Sequence, residues 1–147
     1  MALTTQPWNE LPSKGTPNIA LYNYGVSLSG TTAQTNTLVI GTSSSVGGYT
    51  QAGSGYFKIG YLYIRVYGPG GTSPTVIVQA SLTDGTTTET FLLPASAFAL
   101  TTTSVLRLSV PFSSDLLATT ITVTTTLGGT SPTASLDIAA ASATGVA

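Results

Sequence analysis

Nine side chains of this 147-residue sequence carry charge, and they bound its chemistry. The bases are Lys14, Lys58, Arg65 and Arg107; the acids are Glu10, Asp84, Glu89, Asp115 and Asp137. Histidine and cysteine are absent. General acid–base catalysis draws mostly on His, or on carboxylates and lysines of tuned pKa. Without histidine a Ser-His-Asp triad cannot form, and zinc loses its commonest nitrogen and sulfur ligands. A Ser–Lys pair would need Lys14, in a proline-rich stretch, or Lys58, inside a strand, and nothing in the sequence buries either beside a serine. Asp84 and Glu89 bracket one hairpin and could approach each other as a glycosidase pair must. Asp84-Gly85 is also an ordinary turn pair, and a Ca²⁺ site there would need more oxygen ligands than the segment offers. The glycines at 47–48 and 53–55 lack the lysine and the strand–loop–helix setting of a phosphate loop. We expect no catalytic residue, no metal site and no cofactor, and read the chain as not an enzyme.

Aromatic side chains are the remaining resource. Residues 56–67 alternate with period two. Phe57, Ile59, Tyr61, Tyr63, Arg65 and Tyr67 fall on one face; Tyr56, Lys58, Gly60, Leu62, Ile64 and Val66 fall on the other. Both faces are largely apolar, so the strand lies centrally, with one face in the core and the other covered. Tyr56, Tyr61, Tyr63 and Tyr67 are candidate interface aromatics, since Tyr is enriched at interfaces. The same row could stack on sugar rings or sit in the core. The threonine runs at 101–103 and 119–126 suggest ice-binding arrays, but no solenoid period supports them.

The elements that must carry these residues are β throughout. Strands are predicted at 19–24, 37–40, 56–67, 75–82, 88–93, 104–110, 119–126 and 134–140. Asp84-Gly85, Pro94, Pro111 and Gly128-Gly129 punctuate them, a spacing that marks an all-β fold. The expected architecture is an antiparallel β-sandwich or jelly-roll-like barrel of about eight short strands with an extended N-terminal arm. Residues 95–100 and 113–118 could each form a helical turn, the second capped by Ser113 or Ser114. The Gly-rich run 41–55 reads as a loop. Gly70-Gly71-Thr72-Ser73-Pro74-Thr75 recurs as Gly128-Gly129-Thr130-Ser131-Pro132-Thr133, 58 residues on. Each copy reads as a hairpin loop that arose twice; a pseudo-symmetric sandwich with one such hairpin in each half is the other reading.

Residues 1–18 read as the arm, 19–140 as the sandwich domain and 141–147 as a flexible tail. Pro7, Pro12 and Pro17 oppose helix and central-strand pairing in the arm. Trp8, the only tryptophan, is either an anchor for a neighbour's pocket or a plug for its own core. A formal net charge of −1 and a pI near 4.9 give no electrostatic grip on nucleic acid or on an anionic membrane. Mean hydropathy is +0.34, yet no apolar run approaches the roughly 20 residues of a membrane-spanning helix. The first residues lack the basic and apolar regions of a secretory signal, so the chain reads as made in the cytoplasm or already mature. With 6% charged residues, its surface is largely hydroxyl. Such a surface suits a Thr-rich sheet exterior, and it also loses little when buried against a partner.

Taken together, the proline-punctuated arm with Pro7-Trp8, the Ser/Thr/Gly/Ala-rich β body and the small-residue tail 139–147 resemble capsid decoration (cement) proteins of tailed bacteriophages. The resemblance is one of overall style over most of the chain. It implies a homotrimer on the capsid exterior, made in the host cytoplasm, with the major capsid protein as partner and no membrane or nucleic acid. By the same resemblance the arm, with Pro7, Trp8, Leu11 and Pro12, would reach across seams between capsid subunits. A carbohydrate-binding β-sandwich, with tyrosines and Asp84 or Asp115 around a groove, is the alternative; another small virion coat or tail protein is a third.

Overall fold

A computed structural model describes residues 18–40, 45–46, 49–50 and 56–143. In chain order the strands are β1 (Asn18–Ser29), β2 (Gln34–Val39), β3 (Ser45–Val46), β4 (Tyr49–Thr50), β5 (Phe57–Thr83), β6 (Thr88–Leu92), β7 (Phe98–Ala99), β8 (Leu106–Ala118) and β9 (Thr120–Ala143). All pairing is antiparallel, and no helix occurs among the described residues. The all-β, sandwich-like expectation is met.

Two strands are long instead of short. β5 has 27 residues and β9 has 24, and they pair along nearly their whole length. A straight 27-residue strand would run about 90 Å, far beyond a domain whose radius of gyration should be about 14 Å. The ribbon therefore folds over. One half, Phe57–Tyr67 with Ser135–Ala143, is flanked by β8 on the β5 side and β1 on the β9 side. The other half, Thr75–Thr83 with Thr120–Gly128, is flanked by β6 and β7 on one side and β2 on the other. The halves face each other. Phe91 of β6 lies 5.4 Å, ring to ring, from Phe112 of β8, which meets Phe57 edge-on at 6.1 Å.

Period-two burial fills the space between them. Leu62, Ile64 and Val66 point inward opposite Val76, Val78, Ala80 and Leu82; Ile121, Val123, Leu136 and Ile138 do the same along β9. Each large aliphatic removed from water contributes about 1.5–3 kcal/mol. Where the pattern and the buried face part company, a register shift explains it. Phe57 is wholly buried although it shares parity with exposed Ile59, because the β5–β8 ladder slips between them. The single-face assignment of Phe57 with the tyrosines is thus corrected by one bulge.

The repeat is also corrected. Its copies are not two separate hairpin loops. They pair with each other at the fold of the ribbon: Gly70 with Thr133, Thr72 with Thr130, Thr75 with Gly128. Under the 58-residue offset the first and last pairs exchange and the middle one maps onto itself, so the crossing has a local two-fold. Gly71 (φ 89°) and Gly129 (φ 106°) adopt left-handed backbone, as do Ser73 (φ 51°) and Ser131 (φ 48°). These are the conformations a doubly bent ribbon needs and only glycine reaches without strain.

No helical turn forms at 113–118. Those residues belong to β8, where Phe112, Ser114 and Ala118 are buried and the alternate positions exposed; inward alternation overrides the local capping signal. Pro111, expected to end a strand, lies within β8, which pairs only with β5 and so tolerates a missing N–H at its outer edge. Residues 95–100 hold the short β7 in place of a helical turn.

Candidate functional site

Among the described residues, the outer face of the β8–β5–β9–β1 leaflet gathers most of the exposed aromatic surface. Alternation puts Ile59, Tyr61 and Tyr63 of β5 outward, and all three remain about half exposed or more. Tyr61 and Tyr63 stack with centroids 6.4 Å apart. On β1, two strands away, Tyr22 and Tyr24 stack at 4.3 Å. Between the pairs runs β9, whose Ala139 and Ala141 lie level with Tyr63 and Tyr61. Small side chains on the middle strand and rings on both neighbours make a trough. Adjacent strands lie about 4.8 Å apart, so its walls stand about 10 Å apart.

A polar cluster closes one end. Arg65 of β5 is in register with Arg107 of β8 on one side and Asp137 of β9 on the other. Tyr67 donates its hydroxyl to Asp137 Oδ1 at 3.1 Å, and the N–H of Gly25 donates to the same oxygen at 2.8 Å. Gly25 reaches it because β1 shifts register between Asn23 and Val26, with Gly25 at φ 70°. The Arg65 guanidinium lies 4.2 Å above the Tyr67 ring and 3.8 Å from Asp137 Oδ2. Its Nε is buried without a hydrogen-bond partner. The hydrogen bond to Asp137 raises the Tyr67 pKa above the ordinary 10.0, with burial and the negative carboxylate adding to it. A hollow of about 450 Å³ opens here, lined by Tyr24, Tyr63, Arg65, Arg107, Ser109 and Asp137 among others.

The other candidates separate. Asp84 and Glu89 form no pair. Asp84 Oδ1 accepts the N–H groups of Thr86 (2.8 Å) and Thr87 (2.7 Å), bonds that hold its carboxyl below its ordinary pKa. Glu89 instead accepts the Ser114 hydroxyl across the layers. Lys58 lies 3.8 Å from Asp115, both well exposed, and the nearby Ser114 hydroxyl goes to the Glu89 carboxylate. Among the described residues no cluster of three acids could hold a metal.

Of the four tyrosines singled out from sequence, Tyr61 and Tyr63 form a trough wall, and Tyr67 lies beneath Arg65. Tyr56 is half-buried just ahead of β5. Pro7, Trp8, Leu11 and Pro12 lie outside the described residues. Sequence reasoning missed Tyr22, Tyr24 and the Arg107–Arg65–Asp137 row. The Tyr-x-Tyr spacing at 22–24 echoes that at 61–63 and was the available signal; the arginine row depends on strand order, which no local pattern encodes.

The molecule is thus a jelly-roll-like β-sandwich with an aromatic trough ending in paired arginines. No protein-family model and no curated protein matches the sequence. Solved structures do match in fold. A chain in the structure of infectious bursal disease virus, Gx strain, is 13% identical over 86% of this chain and 32% of its own, with a TM-score of 0.54. A chain in the crystal structure of the infectious bursal disease virus particle is 12% identical over 88% of this chain and 32% of its own, with a TM-score of 0.55. This chain therefore spans about a third of the viral chains it matches. A mutant of a family 29 carbohydrate binding module matches over 84% of this chain and 92% of its own at 12% identity. Its TM-score of 0.37 carries no argument for sugar binding. At these identities the two viral matches show a shared fold.

Proposed function

We propose that this chain is a non-enzymatic structural domain of a virion, bound on the outside of a viral shell across major capsid protein subunits as a homotrimer. The observation that carries the reading is the outer face of the first leaflet. A chain with few charges nevertheless exposes Tyr24, Tyr61, Tyr63 and Ile59 on one side, the kind of clustered apolar surface that marks an interaction site. The shared fold with chains of a virus supports it. Neutral hydroxyl surfaces fit the same role, because many weak contacts repeated by symmetry add through avidity. The N-terminal segment would extend from Asn18 to a neighbouring subunit.

The test is co-sedimentation of the purified chain with shells of the virus that encodes it. Binding should be retained after washing and fall about tenfold or more in Tyr61→Ser/Tyr63→Ser. Shells that emerge free of the wild-type chain would sink the proposal. A second reading has one observation in its favour: rings on both sides of a trough that ends in Arg65 and Asp137 could stack and hydrogen-bond a sugar. Selective binding on a glycan array, lost in the same double variant, would favour that reading.

A further inference from the structure

The arginine row is unbalanced. Both of the chain's arginines lie side by side in register on β5 and β8, with one carboxylate, Asp137, beside them. Like charges directly opposite on neighbouring strands destabilise a sheet. Arg107 makes no ion pair among the described residues, and the part-exposed Arg65 guanidinium has Asp137 alone as its ion-pair partner there. A second carboxylate would correct the balance, and the tyrosine walls next to it call for an apolar or proline-bearing chain.

The sequence contains one segment of that description. Pro7-Trp8-Asn9-Glu10-Leu11-Pro12 sets a carboxylate between a tryptophan and a Leu-Pro pair, and Glu10 is the only acid before Asp84. Proline-rich chain favours the extended polyproline form that docks in aromatic-lined grooves. The segment joins the sandwich at the open end of the trough, since Asn18 pairs with Ala143, which pairs with Ile59. Glu10 lies eight positions before Asn18, a reach of about 26–29 Å. To enter its own trough the chain would have to reverse directly before β1. Pro17 fixes its own φ and disfavours helical backbone at Thr16, which opposes that reversal. A neighbouring molecule meets no such obstacle.

We infer that residues 7–12 of one copy dock in the tyrosine trough of a second copy, with Glu10 on the Arg65–Arg107 pair and Trp8 against the tyrosines. Such a contact is head-to-tail and closes into a ring when the rotation per subunit allows. It assigns both the segment and the trough to the contact between copies, so that the tyrosine variants would lose shell binding through loss of the homo-oligomer and its avidity. It goes beyond the virion reading and is tested without any shell, so the two fail separately.

Trp8 is the only tryptophan among seven tyrosines, so fluorescence excited at the red edge, beyond tyrosine absorption, reads this segment alone. Sedimentation velocity gives the mass in the same samples. The expected result is shielded Trp8 emission in an oligomer, shifting to the red as dilution yields monomer, with association weakened by salt. Glu10→Arg and Arg107→Glu should each weaken association about tenfold or more, and together restore it to within a few-fold. Solvent-exposed emission from a monomer at all concentrations would overturn the inference. So would shielded emission in a monomer that ignores dilution, which would mean docking within one molecule. An oligomer indifferent to salt and to both charge reversals would overturn it as well.

Discussion

Gly129 of β9 lies against the backbone carbonyl of Thr72 on β5, where a β-carbon would come within 2.6 Å of that oxygen. Gly71 stands in the same relation to Thr130, also at 2.6 Å. The ribbon can fold back only because neither glycine has a side chain. The two glycines hold the layers of the sandwich at their crossing, and through them the outer leaflet that displays the tyrosines.

Gly129→Ala should therefore destabilise the fold by about 3 kcal/mol or more, combining left-handed strain with a backbone clash. Gly85 provides the comparison. It also has positive φ, at 97°, but open space around it, so Gly85→Ala should cost only about 1–2 kcal/mol. Denaturant unfolding of both variants checks the difference; equal losses would show that the close approach contributes nothing.

Phe112 joins the layers, touching Phe57 and Phe91. Phe112→Ala should cost about 3–5 kcal/mol, the range for a buried aromatic truncated to a cavity. Leu117, five residues along the same strand, is 55% exposed, and Leu117→Ala should change stability by no more than about 0.5 kcal/mol. Thermal unfolding distinguishes the two.

Asp137→Asn should remove the charge that gathers Gly25, Tyr67 and Arg65, and leave two adjacent arginines uncompensated. The expected loss is about 1–2 kcal/mol, with faster amide exchange at Gly25. Because the folded state raises the Tyr67 pKa, the neutral phenol stabilises the fold. That contribution is complete below the ordinary value of 10.0 and disappears as pH rises through the raised value. A tyrosinate absorbance titration of the native chain minus that of Tyr67→Phe should show the late-titrating group, and Asp137→Asn should bring it back toward 10.0.

Asp84 gives the opposite limb. Its carboxylate is held by the Thr87 and Thr86 N–H groups, which lower its pKa from 3.8. The stabilisation is present above that value and lost as pH falls through the lowered one. Unfolding of the native chain and of Asp84→Ala, followed across the acid range, should converge at the lowest pH and separate above about pH 4.

Strand content was readable because alternation is local. Leu62, Ile64 and Val66 announce a buried face within five residues, and Asp84-Gly85 announces a turn within two. Where reasoning failed, a distant partner decided. Ser113–Ala118 carries a capping signal for a helix, yet each inward residue of that segment finds the core and the strand wins. Phe57 was assigned to the wrong face because the slip beside it arises from how β8 meets β5, and no neighbour in sequence records that.

From the order of its residues alone, this chain was committed to β structure, to a surface poor in charge and to tyrosines two apart on a strand. Those properties follow from side-chain types and spacings of a few residues. Only the folded molecule determined that the two Gly-Gly-Thr-Ser-Pro-Thr segments pair with each other, that β9 comes between the two tyrosine pairs, and that Arg107 stands beside Arg65. Each of these joins residues 40 or more positions apart, and such pairings are selected by the shared core that the whole chain must close, not by any stretch of it.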